Sequence, residues 1–252
     1  MSIILLDHST RHPQADTENN GSEPELHMQS PALPMLHLMR LVSPSQPVGA
    51  FSYSRGLEWA VHASIVTNEE SCADWVLGLL EHSYAALDGA IFWRMISALM
   101  RNDQAEFYRL NDWLAASRES SELELEDRRM GESLLTLLSE LGVERARNFA
   151  SEQRATYPAA FAIAARNWDV APVDALRGLM WSVVESQIMA AIRLVPLGHT
   201  AGQRILIAGA AKIERAVEKA RTLNDDEIGN TAPAMAMASA WHETQYSRLF
   251  RS

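Results

Sequence analysis

From Met35 onward glycine and proline are sparse, alternation of β-branched with polar residues is nearly absent, and alanine, leucine, glutamate, methionine and arginine dominate. Those residues lose little side-chain freedom in a helix, so the chain is predicted to be helical throughout. Spacing supports this: Val173, Leu176, Met180, Val183, Val184, Ile188, Ala191, Ile192 and Val195 recur at intervals of three and four, an apolar stripe that Pro172 opens and Pro196 with Gly198 closes. A second long helix is expected over residues 201 to 223, with Ile205, Ala208, Ile213, Ala216 and Val217 inward and Gly202 and Gly209 admitting a close neighbour. Thr67 with Glu70, and Asp103 with Glu106, have the spacing of capping boxes. The expected fold class is all-α, a single irregular bundle of about nine or ten helices without a fixed-length repeat.

Residues 1 to 34 carry polar side chains and four prolines with few periodic apolar positions, so they are expected to form a disordered arm ahead of one helical domain over residues 35 to 252. An excess of 32 acidic over 22 basic side chains repels nucleic-acid phosphates and anionic lipid surfaces, which excludes both as principal partners. The longest apolar helical runs are interrupted by Glu185, Gln187 and Arg193, or flanked by Arg204 and Lys212, and suit buried helices better than membrane spans. Cys72 is the single cysteine and the opening Ile3 to Leu6 run is too short for a secretory signal, which points to a reducing cytoplasm.

Three segments depart from plain helix. In Ser43 to Trp59, two prolines and a glycine turn the chain before a serine-rich stretch opens a short helix. A helix–loop–helix connector accounts for that much, with Phe51 and Tyr53 packing the loop down. Neither Ser52 nor Ser54 has the glycines two positions to either side that a nucleophile elbow needs. In Arg193 to Arg204, Gly198 and Gly202 lie too close together for a phosphate loop and no Lys-Ser/Thr pair follows, so this is a turn between long helices, with Thr200 as its cap. In Ala240 to Ser252, Tyr246, Leu249 and Phe250 stand among Arg248 and Arg251, the composition of an interface hot spot; a tail folded back on its own body is the competing reading.

In order and spacing, SPSQPVGAFSYSRGLEWA, RLVPLGHTAGQR and HETQYSRLFRS are similar to the N-terminal, central and C-terminal signatures of the UreF family of urease accessory proteins. The shorter LELEDRRMGESLL and YPAAFAIAA fall between them in the expected order, so the resemblance runs from about Leu36 to Ser252. Arg55 replaces a common glutamine, Glu124 a usual arginine and His199 a usual glutamine, and no family role is carried over to those three positions. The resemblance implies a non-enzymatic scaffold and chaperone. In that scheme it dimerises, binds UreD (also called UreH), recruits the GTPase UreG and, on apo-urease, promotes GTP-dependent nickel insertion. The complex handles nickel and the GTPase binds the nucleotide, so no cofactor is expected to bind this chain tightly. Its ending and its first signature are the expected partner-binding surfaces: Tyr246, Arg248, Leu249 and Phe250, with Phe51, Tyr53 and Glu58.

Eight histidines invite a metal site, but His8, His12 and His27 fall in the expected arm, His37, His62, His82, His199 and His242 show no i, i+4 pair, and Cys72 has no second thiol, so no metal-ligand or catalytic set is assigned. His242-Glu243 lacks the second histidine of a helical zinc motif and reads as a solvent-facing pair. Transient ion passage requires only a few polar groups in apolar settings, and Glu58 and Gln187 fit that description, although such residues are more often hydrogen-bonded structural ones. The alternatives of another class are a helical adaptor outside urease maturation and a small hydrolase, the latter requiring a nucleophile and base that converge.

Overall fold

The structure, a computed structural model, describes residues 33 to 152 and 155 to 252, and these are all helix, turn and loop. Most of the expected N-terminal arm lies outside the described residues, but helix begins inside the segment assigned to it, with α1 at Leu33–Leu41. There follow α2 (Leu57–His62), α3 (Glu69–Leu79), a π-helical stretch (Leu80–Gly89) and α4 (Ala90–Met100), the last three forming one unbroken rod. Then come α5 (Gln104–Ala116), α6 (Ser121–Glu140), α7 (Glu144–Glu152), α8 (Tyr157–Asn167), α9 (Pro172–Leu194), α10 (His199–Thr222) and α11 (Pro233–His242). With α3 and α4 taken as one rod, the described residues hold ten, in line with the expected bundle.

Helix α8 explains the layout. Tyr157 to Ala165 are buried on every side, so this helix can only be central. Around it pack α4, α6 and α9, while α9 and α10 form an antiparallel hairpin that covers the π-helical stretch. Gly202 allows that hairpin to close, since a Cβ there would stand 2.8 Å from Ile192 Cδ1. The apolar stripe predicted for residues 173 to 195 falls on one helix that begins with Pro172 at its first turn, where a missing N–H costs nothing.

Local capping departs from expectation in two places. Asn68, not Thr67, caps α3: its side chain accepts from Ser71 N at 2.9 Å, and Ser71 Oγ accepts from Asn68 N at 3.1 Å. Helix α10 starts at His199 behind an extended Gly198, which puts Thr200 inside the first turn rather than at the cap. Asp103 does cap α5, accepting from Glu106 N at 3.1 Å.

The first signature is built on backbone strain. Arg55 and Gly56 both have positive φ, 52° and 80°, and the chain turns sharply from a 3₁₀ turn at Ala50–Ser52 into α2. At Gly56 a Cβ would stand 2.9 Å from Ser239 N, so α2 meets α11 at a contact only glycine permits. Ser54 serves the start of this helix from upstream, its carbonyl accepting from Leu57 N at 3.1 Å and its Oγ from Glu58 N at 3.3 Å. None of the helices among the described residues is long and apolar enough to cross a membrane.

Candidate functional site

The last residues return to the first signature, 190 positions and more upstream. Arg251 N donates to Ser52 O at 2.9 Å, and Ser54 N donates to Ser252 O at 2.6 Å. Ser54 Oγ donates to the same Ser252 oxygen, and Ser252 Oγ donates to Glu126 Oε2 at 2.7 Å. Glu58 completes the seam: its Oε1 accepts from Leu249 N at 2.6 Å and its Oε2 from Phe250 N at 2.8 Å. A carboxylate placed across two consecutive backbone amides is a charge-assisted arrangement, stronger than a neutral contact of the same length. Phe250 is buried, with the Arg193 guanidinium 4.6 Å from its ring centroid, and Ser252 is fully buried.

Beneath the seam lies a ladder of charges supplied by α6. Glu122, Glu126 and Asp127 are buried on the face that also carries Leu123, Met130 and Leu134, so three carboxylates occupy positions a core helix normally gives to apolar side chains. Each has a partner. Glu126 Oε1 accepts from Arg55 Nε, and the Arg55 guanidinium also lies 5.2 Å from the centroid of the Tyr84 ring. Burial works against the charge on Arg55, but Glu126, Tyr84 and Asp88 outweigh it and hold its pKa above the ordinary arginine value. Asp127 accepts from Arg118 Nε at 2.9 Å and from Tyr157 N at 2.8 Å. Arg118 also grips Asp88 through both terminal nitrogens, at 2.7 and 3.2 Å.

Glu122 serves the tail. Its Oε1 accepts from Arg248 Nη1 at 2.8 Å, and its Oε2 stands 2.8 Å from His242 Nδ1. The other ring nitrogen of His242 stands 3.1 Å from Glu58 Oε2. Burial raises the Glu122 carboxyl above its usual value against the pull of His242 and Arg248. His242 is fully buried, which corrects its reading as solvent-facing; only Glu243 of that pair is exposed. Sequence reasoning gave no role to His242, Glu122, Glu126 or Arg118. The available signal was the spacing of Glu122, Glu126 and Met130, which puts acids on the apolar stripe of α6.

The structure thus joins two surfaces that the sequence suggested separately, and it divides their residues into anchors and exposed groups. Tyr53, Glu58 and Phe250 are buried anchors, whereas Phe51 and Leu249 are more than half exposed and Tyr246 is fully exposed. Arg248 lies between, paired to Glu122 with its side chain 40% exposed. Gln187 is buried and donates to Ser54 O at 3.1 Å, which braces the loop from the α9 side. In this conformation both Glu58 oxygens are taken by tail amides and His242. Of the positions that depart from the family pattern, Arg55 is a buried structural cation, while Glu124 and His199 are exposed. Among the described residues no group of three or more His, Cys, Asp or Glu side chains is placed to hold a metal ion. The Cys72 thiol is buried and pushed up to about 11 by that burial and by Glu69.

Among the described residues the chain is thus a helical body whose buried ion pairs hold its last segment in place, with Phe51, Tyr246 and Leu249 turned outward. The chain belongs to the UreF family of urease accessory proteins: the family model described as UreF matches residues 66 to 210, more than half of the chain. The urease accessory protein UreF 2 of Brucella anthropi is 92% identical over 225 residues, covering 89% of this chain and 99% of that one. UreF of Alkalilimnicola ehrlichii is 40% identical over 223 residues, covering 88% and 98%, and UreF of an Azoarcus species is 42% identical over 226 residues, covering 87% and 96%. These relatives are named as accessory proteins to an enzyme, not as enzymes.

Proposed function

We propose that this chain is the scaffold subunit of a cytoplasmic urease maturation complex, in which the paired tail and first signature form the docking surface for UreD. Through that pair it recruits the GTPase UreG, and the assembly, dimeric in this subunit, sits on apo-urease while GTP hydrolysis drives nickel insertion. Nickel and GTP belong to the complex and to the GTPase respectively; this chain contributes surfaces.

The observation that carries this reading is the combination of exposure and anchoring at the tail. Tyr246 and Leu249 are exposed although Phe250 and Ser252, on the same segment, are buried. An apolar side chain held outward on an ordered backbone loses little conformational entropy on binding, which is what makes such groups hot spots. Phe51, with 59% of its surface exposed on the loop that pairs with the tail, extends the same face.

Deletion of residues 246 to 252 followed by pull-down against UreD and UreG, with and without GTP, tests the assignment. Capture of both partners is expected to be lost under both conditions while the truncated chain stays folded. Undiminished capture would remove the tail from the docking surface.

A further inference from the structure

Four arginines outside the tail seam face one hollow. Arg94 comes from α4 and Arg101 from the turn after it, Arg109 from α5 and Arg221 from the last turn of α10. With Trp93, Glu106 and Asp225 they line an open space of about 350 Å³. The chain carries 32 acidic against 22 basic side chains, so four guanidinium groups beside two carboxylates reverse its charge locally.

The fold has a full use for only one of the four. Arg94 staples α4 to the chain leaving α10: Nε donates to Asp225 Oδ1 and Nη2 to Leu223 O, both at 2.7 Å, while Nη1 returns to Ala90 O at 3.1 Å. Arg109 pairs within its own helix, through Nε and Nη2 to Glu106 at 2.7 and 2.8 Å, and an exposed pair of this kind contributes little to stability. Arg221 donates to Glu218 of its own helix at 3.2 Å and lies 5.0 Å from the Trp93 ring centroid. Arg101 is exposed and forms no ion pair with any described residue. Arg101 and Arg109 therefore join no two elements. The local pairs of Arg109 and Arg221 nevertheless hold their guanidinium groups in place, which lowers the entropy lost when an anion binds them.

We propose that this hollow docks an acidic segment of another polypeptide, whose carboxylates pair with Arg101, Arg109 and Arg221 beside the Trp93 ring. Asp225 and Glu106 already show carboxylates seated on guanidinium groups of this cluster. Half-buried Trp93 decides between anions: a glutamate brings methylenes for the ring as well as a carboxylate, whereas a bare phosphate leaves the ring without a contact. Tryptophan with arginine is also the composition that dominates binding energy at protein interfaces. The acidic remainder of the chain does not prevent this, because charges beyond roughly 10 Å are screened at ordinary salt while contacts in the hollow are direct. The hollow shares no residue with the tail seam, so it goes beyond the function proposed above and is tested apart from it.

The test titrates hexaglutamate, hexalysine and inorganic phosphate separately into the ¹⁵N-labelled full-length chain and follows the Trp93 indole N–H with the Arg101 and Arg109 Nε–H resonances. Hexaglutamate is expected to shift all three, with an affinity that falls as salt rises, and hexalysine to shift none. Arg101→Ala with Arg109→Ala should weaken hexaglutamate binding by about tenfold or more. Its Tm should match wild type, since both side chains are exposed and neither joins two elements. The wild-type titration is decisive by itself if that variant is unstable. Absence of shifts with hexaglutamate, wild-type affinity in the double variant, or phosphate binding as tightly as hexaglutamate overturns the proposal.

Discussion

Replacing Arg118 with alanine is expected to destabilise the chain by about 3–5 kcal/mol, the cost of leaving buried carboxylates without their cation. The side chain of Arg118 is 9% exposed, and Asp88 and Asp127, which it bridges, are 7% and 4% exposed. Burial works against its charge, but Asp127 and Asp88 outweigh that and keep the arginine pKa above the ordinary value. Asp88 belongs to the π-helical stretch and Asp127 to α6, so the bridge joins two halves of the bundle. Thermal unfolding followed by circular dichroism should show a drop in Tm on the order of 10 °C. Neutralising the acids as well, in Arg118→Met with Asp88→Asn and Asp127→Asn, should recover a large part of the loss, because the penalty lies in the unpaired charges and not in the missing contact. A single variant as stable as wild type would mean that the bridge contributes nothing.

Glu58→Ala is expected to act more locally and as severely on the tail. The substitution strips the acceptors from Leu249 N and Phe250 N and removes one of the two carboxylates facing His242. At roughly 1–3 kcal/mol for each buried donor left without a partner, docking of the tail should weaken by about 3 kcal/mol, or roughly a hundredfold in docked population. Hydrogen exchange reads this directly: protection of the Leu249 and Phe250 amides should fall by about that factor. Amides of α8, deep in the core, should keep theirs. Equal losses in both places would show Glu58 to be a general structural residue rather than a tail anchor.

Helix content and the long apolar stripe of α9 were legible because periodicity is a local property that burial of one face enforces. Glu58 and Gln187 were also legible as polar residues in apolar settings, since a charge or amide within a stripe breaks the pattern by itself. The fine caps were not, because Asn68 and Thr67 offer similar chemistry one residue apart and the loop geometry chooses between them. His242 escaped for a different reason: a lone histidine is neutral to periodicity, and its two carboxylate partners lie 120 and 184 positions away. The pairing of the tail with the first signature is likewise a contact between distant segments, which neither segment encodes alone. The acids of α6 could have been found, since Glu122 and Glu126 fall in register with Met130, but pairing them with Arg248 and Arg55 needed the fold.

Under the function proposed above, the tail is an ordered surface whose exposed side chains meet a partner. Tyr246 and Leu249 supply those side chains without filling the core, so both can be changed while the anchors Glu58, Phe250 and Ser252 stay in place. The decisive measurement is UreD capture by Tyr246→Ala with Leu249→Ala, made alongside Tm and exchange protection of the Phe250 amide. The account predicts capture reduced at least tenfold, with Tm and protection unchanged. Full capture by a variant whose tail remains docked would contradict it.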